Sequence, residues 1–371
     1  MINLCHREDC SGCCACAAAC PHDAIRMVQD GMGFRYPEVD KSLCVDCGLC
    51  DKVCAFKPYE QSHLPKAEAI RFPEYLDKSQ SGGVGYAVMR KAICEGMVVY
   101  GAAMDDDFVV RHRRVETLEG LEPLRLSKYV QSDMNGIPLQ VLKDLKCGRR
   151  VLFTGTPCQC AGIGSLCGSY RDHLLLVDLI CHGVPAPNVW KSYLTMRENE
   201  EGLKLTGAVF RSPNLGWHPH RETLFFGEKH IVYDDFTFLF YQHLDLRPSC
   251  GVCPFACKKR ASDITMADCW GIERYLPEVE DDNRGFSVMF IHTPVGEAYT
   301  REFDENASRY HLDAEAYTQP NLEHPSVPHP KVKAFEKDFL RKGIESVIKH
   351  YGQNSRRYRW SQFVAKVKRH I

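Results

Sequence analysis

Eight cysteines near the start of the chain constrain its fold more than any other feature. They form two runs, Cys10-x2-Cys13-x2-Cys16-x3-Cys20-Pro21 and Cys44-x2-Cys47-x2-Cys50-x3-Cys54. A compact Cys-x2-Cys-x2-Cys loop lets three sulfurs converge on one face of a 4Fe–4S cluster, which no single helix or strand could do. The fourth cysteine of each run crosses to the other cluster. The spacing therefore assigns Cys10, Cys13, Cys16 and Cys54 to one cluster, and Cys44, Cys47, Cys50 and Cys20 to a second.

Two other uses of cysteine fit less well. Structural zinc takes four thiolate or imidazole ligands, usually as separated pairs. Disulfide frameworks belong to small secreted chains, whereas this one has 371 residues. Cys14 is an extra thiol inside the first run, and Ala55 stands where a second proline would follow Cys54. Neither removes a ligand. Between the runs, residues 25–28 and 34–36 flank Asp30-Gly31 and predict a hairpin.

The length predicts two or three domains with ample core. No apolar stretch reaches the roughly 18 residues of a membrane span. The first residues run almost directly into the cysteine motif, which leaves no room for a signal peptide. A reducing cytoplasm is thus the expected compartment. The net charge of −1 hides an asymmetry, because residues 331–371 carry 12 Lys plus Arg against 3 Asp plus Glu. Phe335, Phe339, Ile344, Val347 and Ile348 recur there at near-helical spacing. Either this is a solvated helix with one packed stripe, or it docks an acidic partner or an anionic membrane surface. Nothing else in the sequence supports nucleic-acid binding.

The expected fold class is α+β. A bacterial-ferredoxin-like domain over residues 1–60 and a linker at 61–73 lead into an α/β domain with a mixed sheet (74–330). A basic helical tail (331–371) follows. Strands are predicted at 97–102, 150–155, 174–181 and 286–292, with 108–112 antiparallel to the first. Helices are predicted at 85–95, 139–146, 187–200 and from 294. Three short antiparallel strands fall within 205–234. Cys158 and Cys181 follow two apolar strands, where α/β proteins tend to place ligands. With the chelate pair Cys250-x2-Cys253 they could complete a square of thiolates for a third cluster. Buried free thiols explain the same residues equally well. Ser79-Gln80-Ser81-Gly82-Gly83 precedes a helix and suits either a phosphate or a plain helix cap. Lys128 among hydroxyl neighbours suits an anion site or a surface loop.

Ser81-Gly82-Gly83, Ser127-Lys128-Tyr129, Gly155-Thr156-Pro157-Cys158-Gln159, Cys181-His182-Gly183-Val184-Pro185, Cys250-x2-Cys253 and residues 262–268 occur in this order. Together they resemble the beta subunit of the coenzyme F-420-reducing hydrogenase and its dehydrogenase relatives, over about residues 1–295. The resemblance implies an FAD-binding α/β domain with a 4Fe–4S cluster beside the flavin. It implies Cys158, Cys181, Cys250 and Cys253 as ligands of that third cluster, with Cys257 as a substitute. It puts FAD on Ser81, Gly82, Gly83, Ser127, Lys128, Tyr129 and Thr156, with Asp263, Thr265 and Asp268 lining the pocket. Lys128, His182 and Arg211 become candidates for holding flavin or substrate or for supplying a proton, although His182 could simply shape its loop. His218 and His220 could form a lid.

A chain with clusters and a flavin converts one-electron to two-electron chemistry. The expected function is an iron–sulfur flavoprotein oxidoreductase. Its partners would be a ferredoxin or other redox protein and a two-electron small molecule such as a deazaflavin. The alternative is an electron-transfer subunit that docks a partner enzyme and has no substrate of its own.

Overall fold

The computed structural model describes residues 6–57, 64–280, 282–303, 306–355 and 358. The cysteine-rich unit contains α1 (Ala15–Ala19), the antiparallel hairpin β1 (Ile25–Gln29) and β2 (Arg35–Val39), and α2 (Leu49–Lys52). The hairpin is the one the spacing predicts. Its turn is held by Asp30, whose carboxylate accepts from the backbone N–H groups of Met32 and Phe34, each at 2.9 Å.

The next stretch, expected to be a linker, is instead in part a strand of the main sheet. β3 (Lys66–Arg71) pairs on both sides, antiparallel to β12 (Ser287–Ile291) and to β13 (Ser308–Leu312). Ala67, Ala69 and Ile70 are fully buried there. From β3 the chain runs through α3 (Val84–Cys94), β4 (Val98–Met104), β5 (Val110–Val115) and α4 (Ile137–Lys146). Then come β6 (Val151–Gly155), α5 (Pro157–Leu166), β7 (Leu174–Leu179) and α6 (Pro187–Glu201). A separate three-stranded antiparallel sheet holds β8 (Gly207–Val209), β9 (Glu222–Phe226) and β10 (Lys229–Tyr233). Helix α7 (Asp235–Tyr241), strand β11 (Ile264–Asp268), and helices α8 (Ile272–Tyr275) and α9 (Pro294–Arg301) complete the body.

The large sheet has the order β13-β3-β12-β11-β7-β6-β4-β5. β4, β6, β7 and β11 are mutually parallel, and β5 and β12 run against them. The central strands are mostly apolar, as expected of strands covered on both faces; Val151, Leu152 and Phe153 are fully buried. Because the parallel strands point one way, the segments after β3, β6, β7 and β11 all emerge at one edge. That edge is where open α/β sheets place ligands.

The last helix, α10 (Val332–Tyr351), is broken at Gly343, whose φ is +77°. Its predicted stripe of Phe335, Phe339, Ile344 and Val347 is buried in the same core as Trp190 and Tyr193 of α6. Apart from Tyr358, the basic segments at 356–360 and 366–369 lie outside the described residues. Among the described residues no helix is long and apolar enough to cross a membrane.

Candidate electron-transfer site

The cysteines gather into three sets. Cys20, Cys44, Cys47 and Cys50 line one recess of ≈ 330 Å³ in the outer part of the cysteine-rich unit. The electrostatic neighbours of Cys16 are Cys13, Cys10 and Cys54. The fourth cysteine of each run thus sits with the other run, as the spacing requires. Cys158, Cys181, Cys250 and Cys253 line a second recess of ≈ 450 Å³, together with Ser11 and Phe56 from the cysteine-rich unit.

Local structure explains how the last set converges. Thr156 begins α5, and the Gln159 side chain accepts its N–H at 2.9 Å, which fixes the turn that presents Cys158. The Thr156 hydroxyl lies 3.2 Å from Cys158 Sγ. Cys181 follows β7, and Gly183 two residues on has φ +128°. A side chain at Gly183 would meet Leu246 at 2.8 Å, so the loop folds down onto the turn that carries Cys250. Cys257 lies outside this recess, with its thiol 3.0 Å from the Lys259 carbonyl.

The four thiols suit a metal cluster on chemical grounds. Burial and neighbouring thiols push Cys158 and Cys250 up to about 12 and Cys253 up to about 11. They raise Cys181 well above the ordinary thiol range. Bare thiols would therefore remain protonated there, whereas iron supplies the positive charge that holds them as thiolates. Among the described residues no group of three or more His, Cys, Asp or Glu side chains converges on one point as a single ion would require. All four cysteines line the same recess.

Beside this recess stands an aromatic and charged wall. Arg211 is buried and ion-paired to Asp268, and it donates to the Trp217 carbonyl at 2.7 Å. Asp268 and Tyr129 keep its guanidinium charged against the cost of burial. Tyr129 stacks on Phe240 at 4.8 Å, and Trp217 stacks on Trp270 at 4.5 Å. Gln80, from the segment before α3, bonds the Arg211 carbonyl. Three buried polar atoms here lack partners: Gln80 Oε1, Arg211 Nε and Trp217 Nε1. Buried polar atoms are nearly always satisfied, so the cluster of orphans fits a polar ligand such as a flavin.

His182 lies between the recess and this wall. Its Nδ1 is 3.1 Å from Asn321 Oδ1 and its Nε2 is 2.8 Å from His243 Nε2. Burial and His243 push it down to about 4. Lys128 donates to the Arg125 carbonyl at 2.6 Å, and burial brings its ammonium down to about 7. Ser127 belongs to the same segment. His220 bonds Tyr241 and packs on Trp270 at 5.3 Å, beside His218.

Other expected residues are tied into the fold. The Ser81 hydroxyl is 3.0 Å from that of Ser287. A Cβ at Gly82 would sit 2.1 Å from the Ile70 carbonyl, so this glycine lets the loop lie against β3. Gly83 starts α3 with φ +82°. Asp263 accepts from Arg171 and from the Leu176 N–H, both at 2.8 Å, and Thr265 bonds Asp178 and His292. Of the three residues expected on β11 and its approach, only Asp268 reaches the Arg211 wall. Sequence reasoning missed His243, Trp270, Gln131 and Arg247. The basic Arg247 three places before the Cys250 chelate pair was the available signal for the last.

Comparison with known proteins gives two domain matches. Residues 148–315 match the model that describes the C terminus of the coenzyme F420 hydrogenase/dehydrogenase beta subunit. Residues 9–57 match the 4Fe-4S dicluster domain. The first match extends beyond residue 295, where the resemblance was expected to end, and Ser81-Gly82-Gly83 and Ser127-Lys128-Tyr129 lie before it. Among solved structures, a chain of the xenon-derivatised F420-reducing NiFe hydrogenase complex from Methanosarcina barkeri is 18% identical. That match covers 80% of this chain and 97% of the other, with a TM-score of 0.45. No curated protein matches the chain.

Proposed function

We propose that this chain is an iron–sulfur flavoprotein oxidoreductase that exchanges electrons between a one-electron redox protein and a small two-electron substrate, such as a deazaflavin. The observation that carries the reading is the recess shared by Cys158, Cys181, Cys250 and Cys253, with Ser11 and Phe56 in its wall. A third thiol set thus opens directly beside the dicluster unit. When bound, 4Fe–4S clusters supply one-electron transfer and FAD supplies hydride or two-electron transfer.

The residues would divide the work as follows. The eight cysteines of the two runs hold two clusters, and the four in the recess hold a third. Arg211, Gln80 and Trp217 offer the orphaned polar atoms to FAD, with Tyr129 and Trp270 as flat apolar walls. Lys128, with its ammonium near neutrality, is suited to hold or release a proton at physiological pH. The partly exposed second run faces the redox partner.

Anaerobic purification tests this. The expected protein carries about twelve iron atoms, one FAD, and a broad iron–sulfur absorption band. Cys181→Ser should lose about four of those irons and retain the ferredoxin pair. Unchanged iron in that variant would remove the third cluster. Colourless protein with stoichiometric zinc would remove the whole reading. Full clusters with no flavin would leave an electron-transfer subunit.

A further inference from the structure

Arg247 is one of the largest fully buried side chains in the protein, at 1% exposure. Its Nε donates to the Cys10 carbonyl at 2.6 Å, and one terminal nitrogen donates to Gln131 Oε1 at 2.8 Å. The other donates to the Arg35 carbonyl at 2.8 Å and points at Cys10 Sγ at 3.7 Å. The guanidinium also lies 4.3 Å from the centre of the Tyr36 ring. None of these partners is a carboxylate. A buried charge normally requires an opposite one, and here the candidates are thiolates: Cys10 of the first run at 3.7 Å, and Cys158 and Cys250 of the other set, whose ionisation the Arg247 charge favours. The main chain of the same residue serves the other thiol set. Its carbonyl accepts the Cys250 N–H at 2.9 Å, and the residue lines the recess with Cys158 and Cys181.

The second run has a different environment. Among the described residues its recess is lined by the four cysteines, His22 and aliphatic residues, with no lysine or arginine. Cluster potentials respond to net charge, to hydrogen bonds on sulfur, and to exposure. Burial alone would make the inner site of the first run harder to reduce, because adding an electron adds negative charge in a poorly solvated place. A fixed cation that also donates toward a ligand sulfur acts the opposite way.

We infer that Arg247 is the tuning residue of the inner relay: it keeps the cluster held by Cys10, Cys13, Cys16 and Cys54 reducible, and it ties that cluster to the Cys158/Cys181/Cys250/Cys253 recess. Gln131 positions it, since the Gln131 amide also donates to the Ser11 carbonyl at 2.9 Å and so clamps the guanidinium to the cysteine loop. This inference rests on the cluster reading above. The iron content of the unaltered protein decides that reading separately.

The test is a potentiometric titration of the full-length, anaerobically purified protein, followed by electron paramagnetic resonance. In Arg247→Gln, the transition of one ferredoxin-type cluster should move to lower potential. The expected size is about a tenfold drop in its reduced-to-oxidised ratio at a fixed potential, which is 59 mV for one electron. The other ferredoxin cluster should stay where it was. Arg247→Lys should restore part of the shift, since it keeps the charge and loses the fork. If Arg247→Gln loses iron, Gln131→Glu replaces it as the test, setting a carboxylate against the intact guanidinium and lowering the same transition. Unmoved transitions at full iron content would overturn the inference. An equal movement of both clusters would also overturn it, because it would indicate general loosening.

Discussion

The two cysteine runs have the same spacing and sit in different surroundings. Cys10 and Cys14 of the first run are buried, under α5 and the side chains of Gln131 and Arg247. Cys13 packs so closely on α5 that a Cβ at Gly162 would meet its sulfur at 2.7 Å. In the second run Cys50 is buried but Cys47 is exposed, and Leu43, Val45 and Leu49 around it are 48%, 61% and 40% exposed. Identical ligand spacing therefore specifies only the cluster. What surrounds it decides whether it faces inward to the body or outward to solvent.

The strongest test of this contrast exchanges one ligand in each run. Cys13→Ser should lose its cluster, about four irons, and should also lower thermal stability, because Cys13 is part of the packing against α5. Cys47→Ser should lose the same iron with the body of the protein intact. Iron analysis combined with melting curves of the two variants reads the difference. Equal melting temperatures would erase the contrast.

Acid should destabilise the body through a buried histidine on β5. His112 is buried, with its ring nitrogens 3.0 Å from the Thr154 carbonyl and 2.9 Å from the Ser132 hydroxyl. Ser132 adjoins Gln131, and burial pushes His112 down to about 4. The unfolded chain binds this proton at a pH where the folded chain does not. Stability from this group is therefore full above pH 6.5 and is lost as pH falls toward 4, by about 3 kcal/mol. His112→Phe should flatten that part of the pH profile of unfolding, measured by denaturant titration.

A smaller effect is expected from Gly162→Ala, which presses a methyl group on Cys13. A cost of about 1–3 kcal/mol is expected, together with a perturbed spectrum for the first-run cluster alone. The smallest effect belongs to the outer run. Val45→Lys should change stability by less than about 0.5 kcal/mol. It should nevertheless slow electron exchange with an external one-electron carrier, measured by stopped flow. An unchanged rate would place the outer contact elsewhere.

Local spacing made the cysteine runs and the β1–β2 hairpin legible, because ligands and turn residues lie within a few positions of each other. Apolar runs revealed β4, β6, β7 and β12 for the same reason. β3 was hidden: Lys66 and Glu68 alternate with Ala67 and Ala69, which are too small to announce a core strand. Asp263, Thr265 and Asp268 were expected together; β11 and its approach carry all three, and Asp268 pairs with Arg211 while Asp263 and Thr265 bond within the sheet region. The bond from Arg247 to Cys10 spans 237 positions, and no one-dimensional pattern encodes such a pairing.

The position of β3 sets a schedule for making the protein. The cysteine-rich unit leaves the ribosome first, but Lys66 pairs with Ile291. At about 5–20 residues per second, roughly 10 to 45 s separate the synthesis of the two partners. For about the first four-fifths of that interval the nascent chain has no Arg247 to cap Cys10. The inner cysteines are therefore open to iron–sulfur delivery before the body closes over them, and loading order becomes a property of translation speed.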